Sequence, residues 1–152
     1  MNVLFLCTGN YYRSRFAEML FGHLARQAGL ECRVTSRALA VERGVDNIGP
    51  ISKQAIAALG QRGVSVPDHH RLPQQAADAD FCDADLVVAM KEAEHRPLMQ
   101  ERFPAWAGRV RYWHVHDTDA ATPQQAFAEI EANVKGLIAS LCSPLETCPR
   151  KA

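Results

Sequence analysis

Four apolar residues in a row, Val3-Leu4-Phe5-Leu6, followed at once by a polar loop and then by helix-spaced apolar residues, limit this chain more than any other feature. A continuous run of that length has no polar face to offer to water, so it reads as a strand buried on both faces. The loop from Cys7 to Tyr12 leaves it directly. Phe16, Ala17, Leu20, Phe21, Leu24 and Ala25 then recur at the spacing of one helix face, and Gly29 supplies the stop.

The same alternation continues. Arg33 to Ser36 reads as a second strand, Ile51 to Leu59 as a helix, and Asp85 to Met90 as a third strand. Lys91 to Arg102 is helical, with Pro104 beyond it, and Val110 to Trp113 gives a fourth strand. Pro123 suits the first turn of a last helix whose stripe is Ala126, Ile130, Val134, Leu137 and Ile138. Strands alternating with helices imply an α/β domain built on a parallel sheet, which binds ligands at the carboxyl ends of its strands. We expect one domain over residues 1–143, with a frayed tail over residues 144–152.

The loop that leaves the first strand is therefore the place to look for chemistry. A helix start carries unpaired N–H groups and the positive end of a dipole, and so receives anions. Gly9 and Asn10 tolerate positive φ, which lets the loop curl with its amides inward as a nest for phosphate oxygens. The expected phosphate-binding run is Thr8, Gly9, Asn10, Tyr11, Tyr12, Arg13 and Ser14. Arg13 adds a planar fork of donors. Cys7 sits at the base, where amides, dipole and guanidinium all favour the thiolate. The Ser14 hydroxyl is placed to reach back to the sulfur.

Composition removes competing classes. With 17 basic and 17 acidic residues the chain has no general attraction for nucleic acid. No apolar run approaches the roughly 20 residues that cross a bilayer, and the opening segment lacks a basic leader, so no membrane role and a cytoplasmic location are the expectations. Five widely spaced cysteines, Cys7, Cys32, Cys82, Cys142 and Cys148, do not make a secreted disulfide framework. His69-His70 and His114-x-His116 lack matching ligands, so no metal and no cofactor are expected.

Val3 to Asn10, followed by Arg13-Ser14 and Ala17-Glu18, resembles the low-molecular-weight protein tyrosine phosphatases. The likeness continues through Ser36-Arg37-Ala38-Leu39, Asp85 to Met90 and Trp113 to Asp117. It implies a single-domain doubly wound (flavodoxin-like) sheet of four parallel strands with helices on both faces. It also implies hydrolysis of phosphate monoesters, by family default protein phosphotyrosine, through a phosphocysteine on Cys7. The partner is then a phosphorylated protein or a small phosphoester; no oligomeric state follows.

That chemistry needs a general acid for the departing oxygen. The family carries it in an Asp-Pro pair on a late loop. Counting from Trp113, Asp117 takes that place and Thr118 replaces the proline, with Asp119 as the alternative acid. Either aspartate also suits a cap for the last helix, Asp119 the better. The resemblance further suggests Ser14, Ser36 and His70 as partners holding Asn10 in a left-handed conformation. Tyr11 and Tyr12 stand where the family often has a small apolar residue and a second cysteine. Lys91 stands where an aspartate commonly follows the methionine of the third strand.

Two other readings compete. An arsenate reductase on this scaffold needs two further cysteines after the third strand, and Lys91 to Arg96 contains none. A non-catalytic phosphate-binding module would keep the loop and release no product.

Overall fold

The computed structural model describes residues 1–66, 71–117 and 121–142. Four strands, β1 (Asn2–Cys7), β2 (Arg33–Ala38), β3 (Leu86–Ala89) and β4 (Val110–Tyr112), form one all-parallel sheet in the order β2-β1-β3-β4. The helices are α1 (Arg13–Gln27), α2 (Lys53–Gln61), α3 (Asp78–Asp83), α4 (Glu92–Arg102) and α5 (Pro123–Cys142). The expected four-stranded doubly wound sheet is therefore present.

β1 is central, and its alternation sorts the core. Val3, Phe5 and Cys7 face a cluster built with α1, α2 and α5. Leu4 and Leu6 face a second cluster with Phe81 of α3 and Leu98 and Met99 of α4. Helices thus cover both faces, which is why the strand tolerates no polar residue between Asn2 at its half-buried start and Cys7. Each such side chain, fully buried, contributes about 1.5–3 kcal/mol. Phe5 meets Phe21 edge-on with centroids 5.7 Å apart, and Phe16 packs on Phe127 of α5 at 4.5 Å.

Several boundaries differ from the sequence reading. β2 runs two residues further, to Ala38, because Ser36, Arg37 and Ala38 pair with Phe5, Leu6 and Cys7. α3 was not foreseen; six residues with Phe81 as the buried anchor carry too little periodicity. α5 is capped by Thr122: its Oγ1 accepts from Gln125 N at 3.2 Å, while Gln125 Oε1 accepts from Thr122 N at 2.9 Å. The capping role considered for Asp117 or Asp119 is thus filled by Thr122.

The chain passes from β1 to β2 on one side, then returns to β3 on the other. The crevice at that reversal, above the carboxyl ends of β1 and β3, is where the loop from Cys7 to Tyr12 sits.

Candidate active site

Cys7 is the last residue of β1 and is 3% exposed; Arg13 opens α1. The α1 start has no side-chain cap and no acidic residue in its first turn, which leaves its N–H groups available to an anion. The loop carbonyls are engaged elsewhere. Cys7 O accepts from Leu39 N, Thr8 O from Ala40 N and Tyr11 O from Ser52 N, at 2.9–3.0 Å. In trans peptides this turns the following N–H groups to the opposite side.

Asn10, not Gly9, carries the left-handed turn, with φ of 52°. Its side chain is fully buried and holds that conformation through four contacts. Nδ2 donates to Ser14 Oγ at 2.9 Å and to Ser36 Oγ at 2.8 Å. Oδ1 accepts from Arg71 Nη1 at 2.8 Å and from Gln74 N at 3.2 Å. Arg71 and a backbone amide can only donate, so the amide orientation is fixed. Ser36 Oγ also accepts from Arg71 Nη2 at 2.9 Å and donates to Glu18 Oε1 at 3.1 Å.

The consequence reaches the sulfur. Ser14 Oγ lies 3.0 Å from Cys7 Sγ and already accepts a hydrogen from Asn10. Its own hydrogen is left to point at Sγ, a donor suited to a thiolate.

Arg13 is 2% exposed and is held from the opposite side of the loop. Its two terminal nitrogens meet Glu94 in a bidentate pair, Nη1 to Oε2 at 3.1 Å and Nη2 to Oε1 at 2.9 Å. Nη1 also donates to Val115 O at 3.1 Å, and Nη2 lies 3.4 Å from Asp117 Oδ2. Thr8 Oγ1 donates to Glu94 Oε1. His95 Nδ1 accepts from Lys91 N at 2.9 Å, which places the hydrogen of a neutral ring on Nε2, 3.1 Å from Thr8 Oγ1.

The charges are mutually dependent. Burial opposes the Arg13 charge, but Glu94, Cys7 and Asp117 outweigh it and raise its pKa further. Burial pushes the Glu94 carboxyl up, yet His95, Arg13 and Thr8 together hold it well below the usual carboxylate range. Burial pushes His95 down, with Arg13 adding to the effect against the pull of Glu94. Tyr12 packs on Phe127 at 4.9 Å. Burial and then the Asp117 charge push its hydroxyl up to about 12, against the opposing charge of Arg13.

A cavity of about 290 Å³ opens above these groups, lined by Cys7, Tyr11, Arg13, Asn47, Gln54 and Asp117 among others. Asp117, the expected acid, is 42% exposed at its mouth. Tyr11 is fixed as a wall by a 2.6 Å hydrogen bond to Ile48 O. A larger cavity, of about 560 Å³, lies far from this chemistry around Asn2, Arg26 and Arg33. His70 and Asp119 fall outside the described residues, as do Thr118 and the tail from residue 143. Among the described residues no cluster of side chains could hold a metal, and no helix is long and apolar enough to cross a membrane.

The sequence reading missed Glu94, His95 and Arg71. One signal pointed to Glu94: Lys91 replaces the expected aspartate, and Glu94 follows one helical turn later on α4.

The sequence profile described as low molecular weight phosphotyrosine protein phosphatase matches residues 2–146. The chain belongs to this family. Among its relatives, the low molecular weight protein-tyrosine phosphatase A of Mycobacterium tuberculosis is 30% identical over 90% of this chain and 89% of that protein. A protein-arginine-phosphatase of Bacillus subtilis is 27% identical over 72% of this chain and 68% of its own. Among solved structures, the phosphatase of T. tengcongensis superposes with a TM-score of 0.72 at 25% identity, over 93% of this chain and 97% of that one. YfkJ of Bacillus subtilis superposes with a TM-score of 0.78 at 24% identity, over 93% and 94%. The family comprises cysteine-dependent phosphatases of phosphorylated proteins, and the site described above lies where β1 meets α1 in this phosphatase.

Proposed function

We propose that this phosphatase hydrolyses phosphorylated protein side chains, phosphotyrosine first among them, through a phosphocysteine on Cys7. The observation that carries the proposal is the convergence of Cys7, Arg13 and Asp117 on one cavity, with Ser14 Oγ 3.0 Å from the sulfur, where its hydroxyl donates once the thiol has lost its proton. The Cys7 thiolate attacks phosphorus and the ester oxygen departs on the far side. Arg13 and the amides of residues 8 to 14 hold the equatorial oxygens as charge develops. Asp117 gives its proton to the leaving oxygen, then takes one from the water that cleaves the S–P bond and releases phosphate. The fixed Tyr11 ring supports an aryl ester, which can stack on it.

Phosphoarginine is a second substrate reading. A Bacillus subtilis relative is named for that activity, and the amides of Asn47 and Gln54 offer oxygens to a guanidinium leaving group. Turnover of matched phosphotyrosine and phosphoarginine peptides ranks the two substrates.

Cys7→Ser should lose turnover while still binding phosphate; near-normal rates in that variant would remove Cys7 from the mechanism. Asp117→Ala should slow turnover by about a hundredfold with poor leaving groups and much less with good ones. An equal loss on both would take the proton-donor role from Asp117. Affinity without product release in the wild type would favour the binding-module reading.

A further inference from the structure

Among the described residues two buried side-chain polar atoms have no hydrogen-bond partner, Tyr12 Oη and Arg15 Nε. Native structures keep such atoms few, because a buried donor forfeits its bonds to water. Arg15 still donates from another nitrogen to Pro50 O at 3.2 Å and Arg71 O at 3.0 Å. The Tyr12 hydroxyl makes no such bond, and Tyr12 stands on the active site. It lines the cavity together with Cys7, Arg13 and Asp117, and its ring packs on Phe127 with centroids 4.9 Å apart. Burial, then the Asp117 charge, push its hydroxyl up to about 12 against the charge of Arg13, so it stays a donor near neutral pH. It is closed to water, so a partner has to come from a neighbouring side chain.

The reaction requires one such side chain to move. The terminal nitrogens of Arg13 are fully engaged: Nη1 with Glu94 and Val115 O, Nη2 with Glu94 and with Asp117 Oδ2. The contact to Asp117, at 3.4 Å, is the longest of the four. A phosphoryl group arriving over Cys7 competes with Asp117 for Nη2, and its charge repels the carboxylate. We propose that the Tyr12 hydroxyl receives Asp117 when substrate displaces it from Arg13, donating to one carboxyl oxygen while the other carries the proton to the leaving oxygen. Tyr12 is then a positioning residue that acts through Asp117, a role that rests on the phosphatase reading above and on Asp117 as its acid. The proton passes from Asp117 to the ester oxygen as the P–O bond breaks. Tyr12 keeps its own hydrogen and stays bonded to the carboxylate left behind.

The test is a double-mutant cycle of Tyr12→Phe and Asp117→Ala, read as kcat/KM on phenyl phosphate, which has a poor leaving group, and on p-nitrophenyl phosphate, which has a good one. Tyr12→Phe removes the hydroxyl and keeps the ring. It should lower kcat/KM about tenfold on phenyl phosphate and much less on p-nitrophenyl phosphate, with inhibition by inorganic phosphate unchanged because the loop is untouched. In the Asp117→Ala background it should cause no further loss. Its melting temperature should not fall, since the missing hydroxyl had no partner to lose. Equal losses on the two esters, the same tenfold loss without Asp117, or wild-type rates in Tyr12→Phe would each overturn the proposal. Asp117→Ala with wild-type rates on both esters would instead take the acid role from Asp117, and no turnover of either ester by wild type would remove the phosphatase reading itself.

Discussion

The phosphate loop is held on its two sides by different kinds of force. On the β2 side, Asn10, Ser14 and Ser36 are locked directly by hydrogen bonds among amide, hydroxyl and guanidinium groups, with the Glu18 carboxylate one step further out on Ser36 and Arg71. On the α4 side, Arg13 is held by a carboxylate that in turn meets a threonine and a buried histidine. The first side fixes the backbone and aims a hydrogen at the sulfur. The second aims a cation and is made of groups that titrate. The loop should therefore keep its shape over a wide pH range while its Arg13 clamp weakens in acid.

The largest break is on the β2 side. Asn10→Ala leaves a non-glycine residue at positive φ without its four contacts, and frees the Ser14 hydrogen from its constraint. Activity should fall about a hundredfold, since small misplacements in a reacting site cost that much. The deficit should be similar at pH 6 and pH 8 in the rate profile. A loss confined to one end of that range would mean that this side titrates too.

Glu94→Gln comes next. Its amide keeps one oxygen for Arg13 but sets N–H groups against the other guanidinium nitrogen. We expect kcat to fall about tenfold, more than KM rises, because Arg13 is most needed as charge develops. An unchanged kcat would mean that Arg13 is positioned without Glu94.

Stability in acid separates the two sides further. The folded state lowers the His95 pKa, so the stability this ring contributes is intact above its ordinary value near 6.5 and is lost as pH falls below it. Glu94 is also lowered, so its contribution is present above about 4.3 and declines as pH falls below that. Thermal melts of wild type should decline first below about pH 6.5 and again below about 4.3. His95→Gln should flatten the first decline and Glu94→Gln the second. Parallel curves for all three proteins would refute the assignment. The smallest effect is Thr8→Val, which removes one hydroxyl from Glu94 and should slow turnover about threefold.

The two sides also differ in how far they could be read in the sequence. Cys7, Asn10, Arg13 and Ser14 lie within eight consecutive residues, and their chemistry follows from leaving a buried strand for a helix start. The stripes of α1 and α5 were legible because each repeats its apolar residues over several turns. Glu94 lies 81 residues from Arg13, and the replacement of the expected aspartate by Lys91 was its single local signal; the rest of the α4 pattern reads as a solvated helix. Arg71 was passed over because the resemblance supplied His70 as a partner of Asn10 and nothing in the sequence marked the arginine beside it as a second one. Local pattern reports which elements form. It does not report which side chains meet across them.

Phosphate trapping tests the central claim most directly. Asp117→Ala, mixed with an activated aryl phosphate and quenched in acid within one turnover, should yield a peptide carrying a single phosphoryl group on Cys7, because water is slow to clear it without that carboxylate. Steady turnover with no phosphorylated Cys7 at any quench time, or with the phosphoryl group on another residue, would contradict the account.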